Sequence, residues 1–556
     1  MILGVDVGGT FTDLFLWDGV TIRTSKLPTT PGDQSEAVLE GASELADRVD
    51  SFLHGTTTAT NALLERTGAR TLLVTSPGFE DVIEIGRQDR PSLYDPFADR
   101  PEPLVQRDDR VSDLSDIDPA LFGAVAVSLL HSYDDPSAEQ AIGRELARVV
   151  PETAVSLSSD VAAEFREFER TSTTVLNAYL TPVVAAYLSR LEAEVKASGL
   201  ADAIAVMRSS GGLISGQDAA ALPASILLSG PAGGVVAAAA IGRILCRNHV
   251  VAFDMGGTST DVCRIDDGRP EIAYERAVDG YPCRMPSAAI HTVGAGGGSI
   301  GWIDPGGSLR VGPKSAGAEP GPACYGRGGT EATVTDANVL LGRIAPRAAL
   351  GGRLTLDPAP AAAALRSLGE PIGMTDTQAA LGLVRVVEEV MAGAIRSVSI
   401  EQGTDPRDAW LVAFGGAGGL HATALARSLD MAGVIVPPHG GVFSAAGLLM
   451  SPPRVDLARS VHLREGHHLD GVIDRIGLEA TNRLPSGDLE TLADVRYHGQ
   501  SHEVTVPYAV GDGWNTLSGR FHRMHRERNG FSRPDDPIEV VTIRATVTGS
   551  PAIEAQ

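Results

Sequence analysis

Asp6–Asp13 reads DVGGTFTD, and Asp254–Asp261 reads DMGGTSTD. Six of the eight letters agree across a spacing of 248 residues. An apolar run precedes each copy, ILGV before the first and VVAF before the second. Each copy therefore reads as a strand ending at Asp, a Gly-Gly turn and a second strand rich in threonine. A turn without side chains lets a phosphate approach backbone N–H groups. Threonine hydroxyls can donate to phosphate oxygens. An aspartate at a strand end can hold Mg²⁺, mostly through water, or orient a nucleophile. One such turn alone is ordinary hairpin chemistry. Two near-copies in two α/β segments predict two related lobes that present their hairpins to one cleft.

That arrangement resembles the actin/Hsp70/sugar-kinase (ASKHA) superfamily, in which a nucleotide is held between two lobes. A third element fits it. FGGAGGLHA at 414–422 ends a strand with glycines and then starts a helix, which would let adenosine lie against backbone. The dinucleotide fingerprint competes for the same stretch. Its third glycine is replaced by His421, and no acid closes the following run VIVPP, so that reading is rejected. GxxxxGK[ST] is absent from the chain, which excludes a P-loop.

Outward from the hairpins the chain alternates strand and helix patterns. TLLVTSPGF (71–79) and AVAVSLLHS (124–132) read as strands, and 137–150 as a helix. The strongest helical signal runs from Asp160 to about Ser198, with Leu176, Leu180, Val184, Leu188 and Leu191 on one face. Pro182 would kink it or begin a second helix, and Gly199 suits a stop. In the second half, 410–416 and 434–438 read as strands around a helix at 420–430. SPPRVDLARS (451–460) reads as a linker, and the tail shows strands at 492–499, 502–508 and 539–549 with a helix at 515–528. The expected fold is α/β: a lobe over 1–185, a second over 186–455, and a small α+β domain over 456–556.

At 556 residues the chain is long enough for several cores. Net charge is −24, which argues against nucleic-acid or anionic-membrane partners. The only lysines are Lys26, Lys196 and Lys314; every other basic side chain is arginine. Four cysteines without CxxC spacing point to reduced thiols. Residues 1–8 lack a basic leader region, and the apolar runs are shorter than the ~20 residues of a membrane span, so a cytoplasmic protein is expected.

Longer stretches carry a more specific likeness. HGTTTATNALLERTGA (54–69), GFEDVIEIGRQDRPSLYDP (78–96), EFREFERTSTTVLNAYLTP (164–182), SGPAGGV (229–235), TVGAGGGSIGWID (292–304) and VGPKSAGAEPGPACYGRGGTEATVTDAN (311–338) together resemble the hydantoinase A / 5-oxoprolinase / acetone carboxylase family. The resemblance implies an ATP-dependent enzyme subunit that hydrolyses a cyclic amide or carboxylates a ketone. It also implies hetero-oligomeric assembly with a hydantoinase B-type subunit carrying a metal site. The chain departs from the pattern where 103–123 is condensed, where the C-terminal domain is trimmed, and at Gly419, where the family more often has proline.

On this reading the phosphates and Mg²⁺ fall to Asp6, Gly8, Gly9, Thr10, Thr12 and Asp13, and to Asp254, Gly256, Gly257, Thr258, Ser259 and Asp261. Asp6 or Asp254 is the Mg²⁺-linked acid. Gly415, Gly416 and Gly418 lie beside adenosine. SGPAGG and GAGGGS read equally as nucleotide loops and as interdomain turns. His54, Thr56, Thr57, Asn61 and Arg87 are substrate-side candidates; HGTTTATN reads equally as a helix cap, and Arg87 as an ion-pair partner. The cluster His462, His467 and His468 reads as solvated rather than metal-binding. His498 and His502 read as structural, Cys324 as a packed thiol, and GGSIG (297–301) as no nucleophile elbow. The favoured function is an ATP-dependent cyclic amide hydrolase subunit. Rivals are a ketone carboxylase subunit and a non-catalytic ATP switch.

Overall fold

The computed structural model describes residues 1–554 apart from 31–32, 93, 96, 116, 346–348 and 351–353. The stretch quoted above at 78–96 therefore includes two positions, 93 and 96, outside the described residues.

Both hairpins form, and each seeds a sheet of the same order. In the first lobe Ile2–Val7 pairs antiparallel with Phe11–Trp17, which pairs antiparallel with Ile22–Pro28. On its other side Ile2–Val7 pairs parallel with Ser51–Gly55, and that strand with Ile204–Met207; Leu213–Ser215 closes the edge. In the second lobe His249–Met255 pairs antiparallel with Thr260–Asp266, which continues to Arg269–Pro270. On its other side it pairs parallel with Trp410–Phe414, and that strand with Gly433–Ile435. The repeated order gives the two-lobed α/β architecture that the repeated phrase predicts. The central strands read as unbroken apolar runs because both faces of each sheet are covered by helices. Leu3, Val5, Leu14 and Leu16 are fully buried in one core, and Val251, Phe253, Val262 and Leu411 in the other.

Between the fourth and fifth strands of the first sheet the chain makes an all-parallel sheet of Thr71–Thr75, Arg110–Val111, Ala124–Ser128 and Ala154–Leu157. It then enters a single helix, Glu167–Ala197, that runs through Pro182. Gly199 follows it at φ +76°, the left-handed conformation that ends helices. A boundary at 185 would cut this helix, and the strands at 204–215 still belong to the first sheet. The first lobe thus extends about 30 residues further than the sequence suggests, because its fifth strand arrives after the helix.

The tail is a four-stranded antiparallel sheet of Arg454–Arg464, Ile538–Thr548, Asp488–Tyr497 and Val504–Pro507. Helices Leu469–Arg483 and Gly513–Asn529 pack on it. The stretch expected as a linker is instead its first strand, so a boundary at 456 also falls inside an element. The stretch looks polar, yet its charges are paired within the fold: Asp456 receives Arg454 of the same strand at 2.9 Å and Arg208 of the first lobe at 3.1 Å. The histidines of this region do not converge. His462 stands against the Phe165 ring, and His468 accepts from the Gly471 N–H at a helix start. No helix among the described residues is long and apolar enough to cross a membrane.

Two close approaches join the parts. Helix Phe443–Leu449 lies between the lobes. A Cβ on Gly4 would stand 2.4 Å from the Ala445 carbonyl oxygen, and one on Gly447 only 1.8 Å from that of Gly233. At the seam with the tail, Glu164 receives Arg284 at 2.5 Å and Arg544 at 2.9 Å, while Arg544 also meets Asp494 at 2.7 Å. Burial pushes the Glu164 carboxyl up, but the two guanidiniums outweigh it and hold it at about 2.

Candidate functional site

The register of the hairpins decides where their acids sit. Asp6 is paired with Asp13, and Asp254 with Asp261, at the same end of each sheet. The next parallel strand ends alongside: Gly55 beside Asp6, and Gly415 just past the partner of Asp254. Glycine is required at both, since an added Cβ would lie 2.4 Å from Asp6 Oδ1 or 2.2 Å from Asp254 Oδ1. The two lobes therefore repeat one constellation: an acid, a glycine pressed against it, and a helix beginning a few residues later.

The turn tips are open. A Cβ on Gly9, Gly257 or Gly416 would meet nothing within 4 Å, so a phosphate chain has room there. The Gly8 N–H donates to the Phe11 carbonyl at 2.9 Å, and the Gly256 N–H to that of Ser259 at 3.0 Å, which closes each turn. Thr10, Thr258 and Ser259 keep exposed surface at the tips. Thr12 does not: it is fully buried, with Oγ1 3.2 Å from Thr29 Oγ1, and Thr29 donates to the Gly8 carbonyl at 2.8 Å. Thr12 braces the first turn from behind.

The GAGGGS stretch braces the second. Gly297 and Gly298 N–H groups donate to the carbonyls of Gly256 (3.0 Å) and Gly257 (2.6 Å). Thr292 Oγ1 donates to Asp261 Oδ1 at 2.6 Å. SGPAGG, by contrast, opens helix Gly230–Ile244, and its glycines serve the crossing with Phe443–Leu449. In FGGAGG, Gly415 takes φ +80° and donates to the Gly440 carbonyl at 2.9 Å; Gly418 is buried at the start of helix Gly418–Ser428.

The four acids share one field. Burial raises Asp6 to about 8, reinforced by Asp13 and Asp254. Burial raises Asp254 to about 7, reinforced by Asp261 and Asp13. Burial raises Asp261 to about 6, and it also raises Asp13 against the pull of Lys26. Asp6 and Asp254 feel carboxylates of the opposite lobe, so the hairpins face each other. Among the described residues the cation acting on Asp6, Asp13 and Asp254 is Lys26, whose Nζ lies 2.5 Å from Asp13 Oδ1 and 3.0 Å from the Gly441 carbonyl. Carboxylates pressed together with too little positive charge suit a divalent cation. No group of three or more His, Cys, Asp or Glu among the described residues could hold a metal by itself. That donor set suits Mg²⁺, which keeps several waters and binds through one or two carboxylates plus phosphate.

The substrate-side candidates divide. Thr56 and Thr57 follow Gly55 and therefore Asp6. Asn61 Nδ2 donates to Thr57 Oγ1 at 3.4 Å, and Asn61 lines a cleft of about 410 Å³ with Gln34, Tyr187 and Arg190. His54 is enclosed in the first lobe, bonded to the Tyr187 hydroxyl at 2.9 Å, and burial lowers it to about 4. Arg87 is held by a two-pronged bond to Glu169 at 2.7 and 2.6 Å. Cys324 is buried, and burial, followed by Asp336, pushes its thiol well up, away from reactivity. Sequence reasoning missed Lys26, Ser444 (3.4 Å from Asp254 Oδ2) and Gly55. The one available signal for Lys26 was its rarity in a chain that otherwise uses arginine.

The hydantoinase/oxoprolinase family model matches residues 170–456, and the model of that family's N-terminal region matches 2–112. An uncharacterised protein of Methanocaldococcus jannaschii is 38% identical over 597 residues, covering 98% of this chain and 87% of that one. The caprolactamase alpha subunit of Pseudomonas jessenii is 34% identical, covering 98% and 86%. The crystal structure of ATP-dependent caprolactamase from Pseudomonas jessenii superposes with a TM-score of 0.87 at 33% identity, covering 99% of this chain and 87% of that one.

Proposed function

The chain belongs to the hydantoinase/oxoprolinase family, and from that membership we propose that it is the nucleotide-binding subunit of an ATP-dependent cyclic amide hydrolase. The observation that carries this is the facing pair of hairpins, whose half-enclosed acids lack compensating charge while their glycine tips stand open. A ring amide is a poor electrophile. ATP supplies the phosphoryl group that makes its carbonyl oxygen a leaving phosphate. The terminal phosphoryl moves to that oxygen and ADP departs; one water adds to the carbon and the C–N bond breaks, leaving an acyl phosphate, and a second water displaces the phosphate to give the acid. In sum, ring amide, ATP and two waters give the ring-opened acid, ADP and phosphate.

The protein's part is positioning and charge. Asp6 and Asp254 would hold Mg²⁺ through water, with Asp13 and Asp261 paired beside them across each hairpin. The N–H groups of Gly9 and Gly257 and the hydroxyls of Thr10, Thr258 and Ser259 cradle the phosphates, while Gly8 and Gly256 close the turns that present them. Gly415, Gly416 and Gly418 take the adenosine in the second lobe. The equivalent place in the first lobe, at Thr56 and Thr57, takes the acceptor. A hydantoinase B-type partner with its own metal completes ring opening; the caprolactamase relative, named as a subunit, supports this assembly.

The test is ADP release by the chain with its B-type partner. Mg-ATP is supplied with hydantoin, 5-oxoproline, caprolactam-like lactams, or acetone with bicarbonate. Release stimulated by one ring compound without bicarbonate is the expected result. Dependence on both ketone and bicarbonate would move the chain to the carboxylases, whose acetophenone carboxylase gamma subunit from Aromatoleum aromaticum is 35% identical over 496 residues.

A further inference from the structure

Lys26 stands where the two lobes meet. It lies on the third strand of the first sheet, directly opposite Asp13. Its ammonium lies over the Phe11 ring, 5.0 Å from the ring centre. Its ammonium is 2.5 Å from Asp13 Oδ1 and reaches over the cleft to the Gly441 carbonyl at 3.0 Å. The neighbouring Gly440 carbonyl is the acceptor of Gly415, so this bond ends on the same turn that supports the second lobe's glycine loop. The side chain is 26% exposed, so it still opens to the cleft.

We propose that Lys26 holds the terminal phosphoryl group of a bound nucleoside triphosphate. The assignment rests on the nucleotide-binding reading above. The cleft must accept a tetra-anion beside four carboxylates, and among the described residues Lys26 is the cation whose field reaches acids of both lobes. A carbonyl is a weak partner for an ammonium. A phosphate oxygen is a stronger one, because the hydrogen bond is then charged on both sides. Adenosine belongs to the second lobe and the acceptor to the first, so a cation rooted in the first-lobe hairpin meets the far end of the phosphate chain. Asp13 keeps the ammonium aimed across the cleft, and exchange of the Gly441 carbonyl for phosphate lets the nucleotide bridge the lobes in its place. A lysine suits this role because it offers a compact point charge on a flexible stem.

The experiment is calorimetric binding of ATP, ADP and AMP, each with Mg²⁺, to the full chain and to Lys26→Met and Lys26→Arg. Thermal melts of each variant report folding. One charge-assisted contact corresponds to about a 10- to 150-fold change in affinity. ATP affinity is expected to fall within that range in Lys26→Met, with ADP changed several-fold less and AMP unchanged, and to recover in part in Lys26→Arg. If Lys26→Met leaves Asp13 unpaired and unfolds the chain, Asp13→Asn/Lys26→Met removes both charges and is compared with Asp13→Asn alone. Equal ATP binding by the wild type and Lys26→Met, or equal weakening of all three nucleotides, overturns the assignment while leaving the nucleotide reading intact. A wild-type chain that binds none of the three overturns both.

Discussion

Asp6 and Asp254 end their strands against carboxylates from their own and the opposite hairpin, and this gives each residue a measurable signature. Their raised values mean that the ligand-free folded state binds more protons than the unfolded chain between about pH 4 and pH 8. Stability contributed by these groups is therefore full below the unfolded value and falls as pH rises to about 8. Asp6→Asn is expected to raise the melting temperature of the ligand-free protein at pH 8 and leave it nearly unchanged at pH 5. The same substitution is expected to abolish Mg-ATP binding, as is Asp254→Asn. Unaltered binding in both would remove the hairpins from the nucleotide site. For the wild type, Mg-ATP affinity should rise from pH 6 to pH 8, with protons released on binding, as calorimetry in buffers of different ionisation heat would report. His54 behaves oppositely. His54→Ala empties a fully buried ring site and removes one of the two side-chain partners of the Tyr187 hydroxyl, Thr56 being the other, and is expected to cost about 1–3 kcal/mol by urea unfolding. The meeting of the four aspartates was legible in a repeated phrase. Lys26 was not, because its place depends on the register of a third strand that the repeat does not include. His54 was misleading because a polar letter inside a glycine- and threonine-rich stretch looks exposed, whereas its strand is central to the sheet.

Elements built from periodic apolar runs match the sequence reading closely. The strands at 2–7, 124–128 and 410–414 and the helices at 137–149 and 418–428 begin and end within a few residues of expectation. The stretch at 451–460 failed for a definable reason. Its arginine and aspartate letters suggest solvent, yet Asp456 meets Arg208, Arg459 meets Glu479, and the stretch pairs with a neighbouring strand. Such pairing is set by the tertiary fold and leaves no periodic trace. The short helix Phe443–Leu449 offers a direct test at this scale. Gly447→Ala puts a methyl group into the Gly233 carbonyl, and overpacking of that kind costs about 1–3 kcal/mol or more. A lower melting temperature with nucleotide affinity weakened in step is expected. Gly441→Ala, where an added Cβ meets nothing within 4 Å, is the matched control and should melt like the wild type.

Across the whole molecule the sequence indicated two lobes and a tail, but neither boundary. Both fall inside continuous elements, since the first lobe takes back two strands after its long helix and the tail starts without a spacer. The tail is joined by hydrogen bonds of Ser460 with Ala163 and Phe165, and by charge. Glu164→Gln leaves Arg284 and Arg544 short of their shared partner, and breaking a buried pair of this kind costs about 3–5 kcal/mol. Glu164 itself is held near 2, so the stability it lends is present above about pH 4.5 and is lost as pH falls toward 2. Limited proteolysis across that range should first release the tail from the wild type, and should release it at neutral pH from the Glu164→Gln protein. The lobes meet differently, backbone against backbone along the glycines at 4, 233 and 447. Beside those glycines Leu448 and Leu449 pack with Phe15 and Leu53 of the first lobe. Drawing the lobes apart would therefore strip a dry, closely packed surface, and the distance between the two facing hairpins is set by how tightly that surface closes.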